Sequence, residues 1–212
     1  ITEEVCKSPS GCRIEMTTGS CPDCIFITRT IVTKDIVKTI QSIIDPWLGK
    51  SMTESRKDGF RIYYSFIPEN DPEGKKRIKI EINTREHFSV FPIKKMKFRV
   101  KSQSFTGDCT LKTYELTEML GTKMRALYQR KKGRDLFDID WSIQHHSLDY
   151  NDILKSFHEY MDFGGHSVTS KLYLENIEKK LNSAVFCNDI NNFKRSDIEY
   201  DIHKAFENIK EL

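Results

Sequence analysis

TYELTEMLGTKMRAL, residues Thr113 to Leu127, is where the apolar spacing of this chain changes from two residues to 3.6, and the longer period persists to the C-terminus. Helices are predicted near 114–132, 135–145, 149–162, 167–184 and 196–211, with Gly164-Gly165 and the NDINN stretch as breaks. Upstream the period is two. Phe60, Ile62, Tyr64 and Phe66 alternate with polar neighbours, as do Ile78, Ile80 and Ile82, then Met96, Phe98 and Val100. These predict three strands, with ENDPEGK turning between the first two. A helix opens at Thr33 or Lys34, carries Ile36, Val37, Ile40, Ile43 and Ile44 on one face, and is expected to stop at Pro46. Strands followed by helices give an α+β protein, a sheet domain over 1–112 and a helical domain over 113–212. Residues 1–30 show no clear periodicity beyond CIFITRTIV, and are expected to form an insertion or a poorly packed edge.

The same change of period opens the most site-like stretch, LGTKMRALYQRKKGRDLFD from Leu120 to Asp138. On a helix, Lys123 lies among Leu116, Met119, Leu120 and Leu127, so its ammonium needs either an anion or a route to water. Arg130, Lys131, Lys132 and Arg134 crowd around Gly133, which suits a break between two helices. Asp135 and Asp138, three apart, share a face of the second. The plain alternative is a snorkelling lysine and a solvated basic turn.

A chain of 212 residues could bury roughly 70% of the surface its unfolded form exposes, so no staple is compulsory. Its net charge of +3 says little about partners. Charge is uneven, however: Lys94, Lys95, Lys97, Arg99 and Lys101 fall in one segment and Arg125 to Arg134 in another, compatible with a polyanion or simply with solubility. No apolar run approaches the roughly 20 residues that span a bilayer, and no secretory signal is visible, so a cytoplasmic location is expected. The start at Ile1 without a methionine suggests a fragment of a longer polypeptide.

Four of the six cysteines, Cys6, Cys12, Cys21 and Cys24, fall within the first 24 residues. CPDC resembles half of a zinc knuckle, but the wider Cys6 to Cys12 spacing does not complete one. Reduced thiols are the leading reading and a structural Zn²⁺ the alternative. Cys109 and Cys187 read as ordinary buried thiols, and the scattered histidines as surface or structural groups. Gly164-Gly165 suits either a helix end or an anion nest.

RIKIEINTREHFSV (Arg77 to Val90), TYELTEMLGTKMRAL and the Leu120 to Asp138 stretch together resemble the AbiEii/AbiGii abortive-infection family of nucleotidyltransferase-like toxins, over a match from about Asp45 to the C-terminus. The resemblance implies a nucleotidyltransferase-like sheet domain and transfer of nucleotide from an NTP to an acceptor such as tRNA. It also implies Mg²⁺ as cofactor and a cognate antitoxin as partner. It makes Glu81, on the polar side of an Ile-rich strand, the third metal carboxylate. It gives Lys123 contact with the nucleotide phosphates, with Arg134 and Arg130 as further candidates. Asp135 or Asp138 would orient that lysine or assist catalysis. The family's Gly-Gly-Thr and Ser-x-Asp-x-Asp blocks have no match here, so the sheet domain reads as truncated and residues 1–212 alone are expected to be inactive. A non-catalytic RNA- or protein-binding module is the alternative, and a zinc-ribbon adaptor a weaker one.

Overall fold

The structure, a computed structural model, describes residues 34–212 apart from 58, 69–70, 87, 102–105 and 195, together with the backbone of 13–17 and 24–27. The chain divides into two compact units, Ile1–Tyr114 and Glu115–Leu212. The mixture of antiparallel strands and helices is the α+β class expected from the sequence.

In the first unit, β1 (Arg13–Thr17), β2 (Cys24–Ile27), β3 (Met52–Arg56), β4 (Gly59–Phe66) and β5 (Lys76–Asn83) form one sheet in the order β2-β1-β5-β4-β3, antiparallel at every pairing. Alternation places Ile62 and Tyr64 of β4 and Ile80 and Ile82 of β5 on one face. There they bury against Val37, Ile40 and Ile44 of α1 (Lys34–Leu48). The Tyr64 hydroxyl, inside this contact, donates to Asp45 Oδ1 at 2.8 Å. Two expectations need correcting. Pro46 lies inside α1 and does not stop it, although it forgoes one backbone bond to the preceding turn; the stop is Gly49, whose φ of 82° lets its N–H reach Asp45 O at 3.0 Å. Nor is the N-terminal segment an edge throughout, since β1 sits between β2 and β5.

The third predicted strand, β6 (Lys94–Lys101), does not join this sheet. It pairs with β7 (Thr106–Thr113) as a two-stranded antiparallel ribbon.

The second unit is helical: α2 (Leu116–Gln129), α3 (Gly133–His145), α4 (Tyr150–Phe163), α5 (Ser170–Leu181), the single turn α6 (Ala184–Cys187), a 3₁₀ turn (Asp189–Asn192) and α7 (Ile202–Ile209). Side-chain oxygens of Asp149, Thr169 and Asp201 accept the first backbone N–H groups of α4, α5 and α7, which fixes where those helices begin. Gly165, at φ 74°, closes α4, so the glycine pair is a helix end rather than an anion nest. The core is built from Leu120, Met124, Leu127, Leu136, Ile139 and Phe157 with the apolar faces of α5 and α7. Helices α2 and α4 approach most closely at Gly121, where a Cβ would lie 2.5 Å from Ser156 Cβ and 2.7 Å from Phe157 N. Among the described residues, no helix is long and apolar enough to cross a membrane.

Candidate functional site

The basic turn between α2 and α3 gathers the charged groups singled out in the sequence. Asp135 sits in the first turn of α3, where the helix dipole favours an anion, and its side chain is completely buried. Arg130 grips it with two bonds, Nε to Oδ2 at 2.7 Å and Nη2 to Oδ1 at 2.6 Å. From α2, Lys123 reaches Asp138 Oδ2 at 2.8 Å and Asp135 Oδ1 at 3.7 Å. Lys123 is 20% exposed and Asp138 35% exposed. The lysine therefore neither snorkels freely nor lies in a purely apolar face: it has two carboxylates, one locked in the interior and one at the surface.

Sequence reasoning missed what holds this turn. Gly133 opens α3 against the Phe186 carbonyl, which a Cβ would approach to 2.1 Å, so only glycine fits. Lys132, at the N-cap, offers no side-chain acceptor; Asp189 takes that role instead. Its Oδ2 accepts the Arg134 backbone N–H at 3.3 Å, and its carboxylate pairs with Lys132 at 3.5 Å. The Arg134 guanidinium lies over the Phe193 ring at 4.6 Å, with its Nε 3.8 Å from Asp189. At the other end of the turn, Lys180 of α5 donates to the carbonyls of Leu127 and Tyr128, the latter at 2.7 Å, and so caps α2. Burial pushes the Lys180 ammonium down to about 8; Asp135 works against that shift and Lys131 adds to it. Close by, Tyr173 donates to Met124 O at 3.2 Å, and burial, helped by the Asp135 charge, raises its hydroxyl pKa. Also in α2, wholly buried Glu118 accepts from Tyr160 at 2.8 Å, and Arg125 lies over the face of that tyrosine ring. None of these partners has a local sequence signal, since each is distant along the chain.

Glu81 lies in the first unit, towards the C-terminal end of β5, and is not a bare carboxylate on a wet face. Arg61, its cross-strand partner on β4, binds Oε1, while Lys79 binds Oε2 at 2.7 Å. Burial pushes the Glu81 carboxyl up, but the bonds from Lys79 and Arg61 together outweigh it and hold the group below the usual carboxylate range. Arg56, Gly59, Arg61, Glu81 and Asn83 line a shallow pocket on this side of the sheet. Gly59 borders it at φ 154°, with no room for a Cβ beside the Ile82 carbonyl.

A Mg²⁺ site needs several oxygen ligands, at least one or two of them carboxylates without competing cations. Among the described residues, no group of three or more His, Cys, Asp or Glu side chains could hold a metal ion. Among the described residues, Glu81 is shared between two cations, Arg61 and Lys79. Cys6, Cys12 and Cys21 lie outside the described residues, and Cys24 is described only as the backbone start of β2. Cys109 and Cys187 are half-buried rather than buried, and the Cys187 thiol faces Leu181 O at 3.1 Å. His145 stacks on Trp141 at 3.8 Å between ring centres, a structural contact.

No curated protein and no solved structure gives a significant match to the chain. A family profile does: residues 25–211 match the profile described as nucleotidyl transferase AbiEii toxin, type IV TA system. That span takes in β2, the whole sheet from β3 to β5, the β6-β7 ribbon and every helix. The chain belongs to the AbiEii family of nucleotidyltransferase toxins of type IV toxin–antitoxin systems.

Proposed function

We propose that this protein takes a nucleoside triphosphate and transfers its nucleotide to an RNA acceptor such as the 3′ end of tRNA. In that reaction an acceptor hydroxyl oxygen bonds to the α-phosphorus, the bond to the β-phosphate bridging oxygen breaks, and pyrophosphate leaves. Membership of a type IV toxin–antitoxin family implies an antitoxin partner.

The observation that carries the proposal is the position of Lys123 between an interior and a surface carboxylate. An arriving phosphate competes for the ammonium most readily with Asp138, which water can solvate once released. Asp135 cannot follow, because Arg130 holds both its oxygens. Asp138 is thus the exchangeable partner and Asp135 the positioning residue, a distinction that spacing alone does not make. Arg134 and Arg130 border the same turn and would add cationic surface for the phosphates. Glu81 keeps its proposed role as a metal carboxylate, with the remaining metal ligands outside the described residues. A Mg²⁺ ion carried by the triphosphate would supply charge neutralisation. Because the family's Gly-Gly-Thr and Ser-x-Asp-x-Asp blocks have no match in the sequence, residues 1–212 alone are proposed to bind triphosphate without transferring it.

Equilibrium binding of a labelled triphosphate to wild type and Lys123→Met tests the assignment. Methionine keeps the apolar stem and removes the charge, so affinity should fall at least about tenfold, the equivalent of about 1.4 kcal/mol. Unchanged affinity, or none in the wild type, overturns it. Incubating the full-length protein with labelled triphosphates and total RNA identifies the acceptor.

A further inference from the structure

The β6-β7 ribbon has two unlike faces. Its register pairs Lys95 with Lys112, Lys97 with Thr110, Arg99 with Asp108 and Lys101 with Thr106, and paired residues project to the same side. That side therefore carries five cations and a single carboxylate, all exposed, whereas the other carries Met96, Phe98, Val100, Cys109 and buried Leu111, with Lys94 at its end as its one cation. The charge on this one face exceeds the net +3 of the whole chain. Along β6 the cations recur at every second residue, about 6.6 Å apart, making a row roughly 20 Å long.

Lysines on exposed strands also discourage edge-to-edge association, which alone could explain a few of them. It does not explain why the charges gather on one face and are continued across the ribbon by Lys112. We infer that this face binds a structured RNA through the phosphates of a double-stranded stem. The face carries no aromatic group, so unstacked bases would find no platform on it; Phe98 points the other way. A row of lysines without base-reading groups matches a sugar-phosphate backbone and gives affinity without sequence preference. The inference rests on the RNA-acceptor reading above, and names the part of the chain that would hold the acceptor away from the reacting end.

The test measures binding of an RNA hairpin by the full chain across a salt series. The quadruple variant K95Q/K97Q/K101Q/K112Q is compared with K38Q/K57Q/K171Q/K204Q, which removes the same charge from exposed lysines elsewhere. The ribbon variant should lose at least tenfold in affinity near 0.1 M salt, and its slope of log K against log salt should become shallower by about 3. The control should stay within about twofold. K97Q/K112Q, a milder change, should show about half the slope loss, and replacing all four lysines by arginine should restore binding. Equal losses in ribbon and control variants, an unaffected ribbon variant, or tighter binding of single-stranded RNA or of a DNA duplex overturns the inference. Labelling of RNA in the transfer assay is read separately. Failure to label any RNA while the ribbon variant loses binding sinks the acceptor reading and leaves the ribbon; labelled RNA with undiminished ribbon-variant binding does the reverse.

Discussion

Arg130 and Asp135 form a two-bond pair in which the carboxylate is entirely buried and the guanidinium half-exposed. Neutralising the acid leaves a buried amide that cannot accept both guanidinium bonds, while removing Asp138 disturbs a contact that water can replace. Asp135→Asn should therefore lower stability by about 2 kcal/mol, and Asp138→Asn by less than about 1 kcal/mol. Urea unfolding midpoints at constant m-value measure both. Equal losses would contradict the division between a locked and an exchangeable aspartate.

Glu81→Gln leaves Arg61 and Lys79 facing each other without their shared carboxylate. From the sequence alone this substitution looks neutral for stability; the two ion pairs make it cost about 1 kcal/mol at pH 7. Because the folded-state pKa of Glu81 is depressed, its contribution is present above the ordinary value of 4.5 and is lost as pH falls through the lower folded value. The wild type and the variant should therefore converge as pH falls well below 4.5. A gap that persists there would mean that shape, not charge, sets the difference.

Lys180 makes the alkaline side asymmetric. Its folded-state value near 8 lies below the ordinary 10.5, so between those values the unfolded chain holds a proton that the folded protein has released, and this group makes stability rise with pH. Tyr64 acts oppositely from 10 to about 12, where the folded protein keeps a proton that the unfolded chain loses. Stability should rise from pH 8 towards 10 and fall beyond it. Lys180→Met should abolish the rising limb; an identical pH profile in the variant would remove Lys180 as its source.

At Gly121 an added methyl group meets backbone as well as a side chain, so the helices must separate to admit it. Gly121→Ala should destabilise by about 1–3 kcal/mol, although alanine is the better helix former. A rise in melting temperature would overturn the close contact of α2 and α4 at Gly121.

The helical period and the strands with a buried face were legible because each records which side meets a core. Strands β3 and β7 were not, since MTESR is almost wholly exposed and TGDCTLKT carries a single buried apolar residue, Leu111, so both owe their conformation to their neighbours. β1 falls in a stretch without clear periodicity, set among serine, threonine and glycine, yet it lies within the sheet. Around Lys123 the meeting with Asp135 and Asp138 was legible, as a short turn between two helices returns those residues to one another. Arg61 beside Glu81 required the register of β4 on β5, and Lys180 and Asp189 required the path of half the helical unit.

Those last two residues have a consequence for biosynthesis. The turn that carries Arg130 is clamped at one end by Lys180, 53 residues from Leu127, and at the other by Asp189, 55 residues from Arg134. A nascent chain that has left the ribosome only as far as α4 has Lys123, Asp135 and Asp138 but neither clamp. A toxin so arranged completes this turn only after residue 189 has been made, and products that stop before α5 lack both clamps.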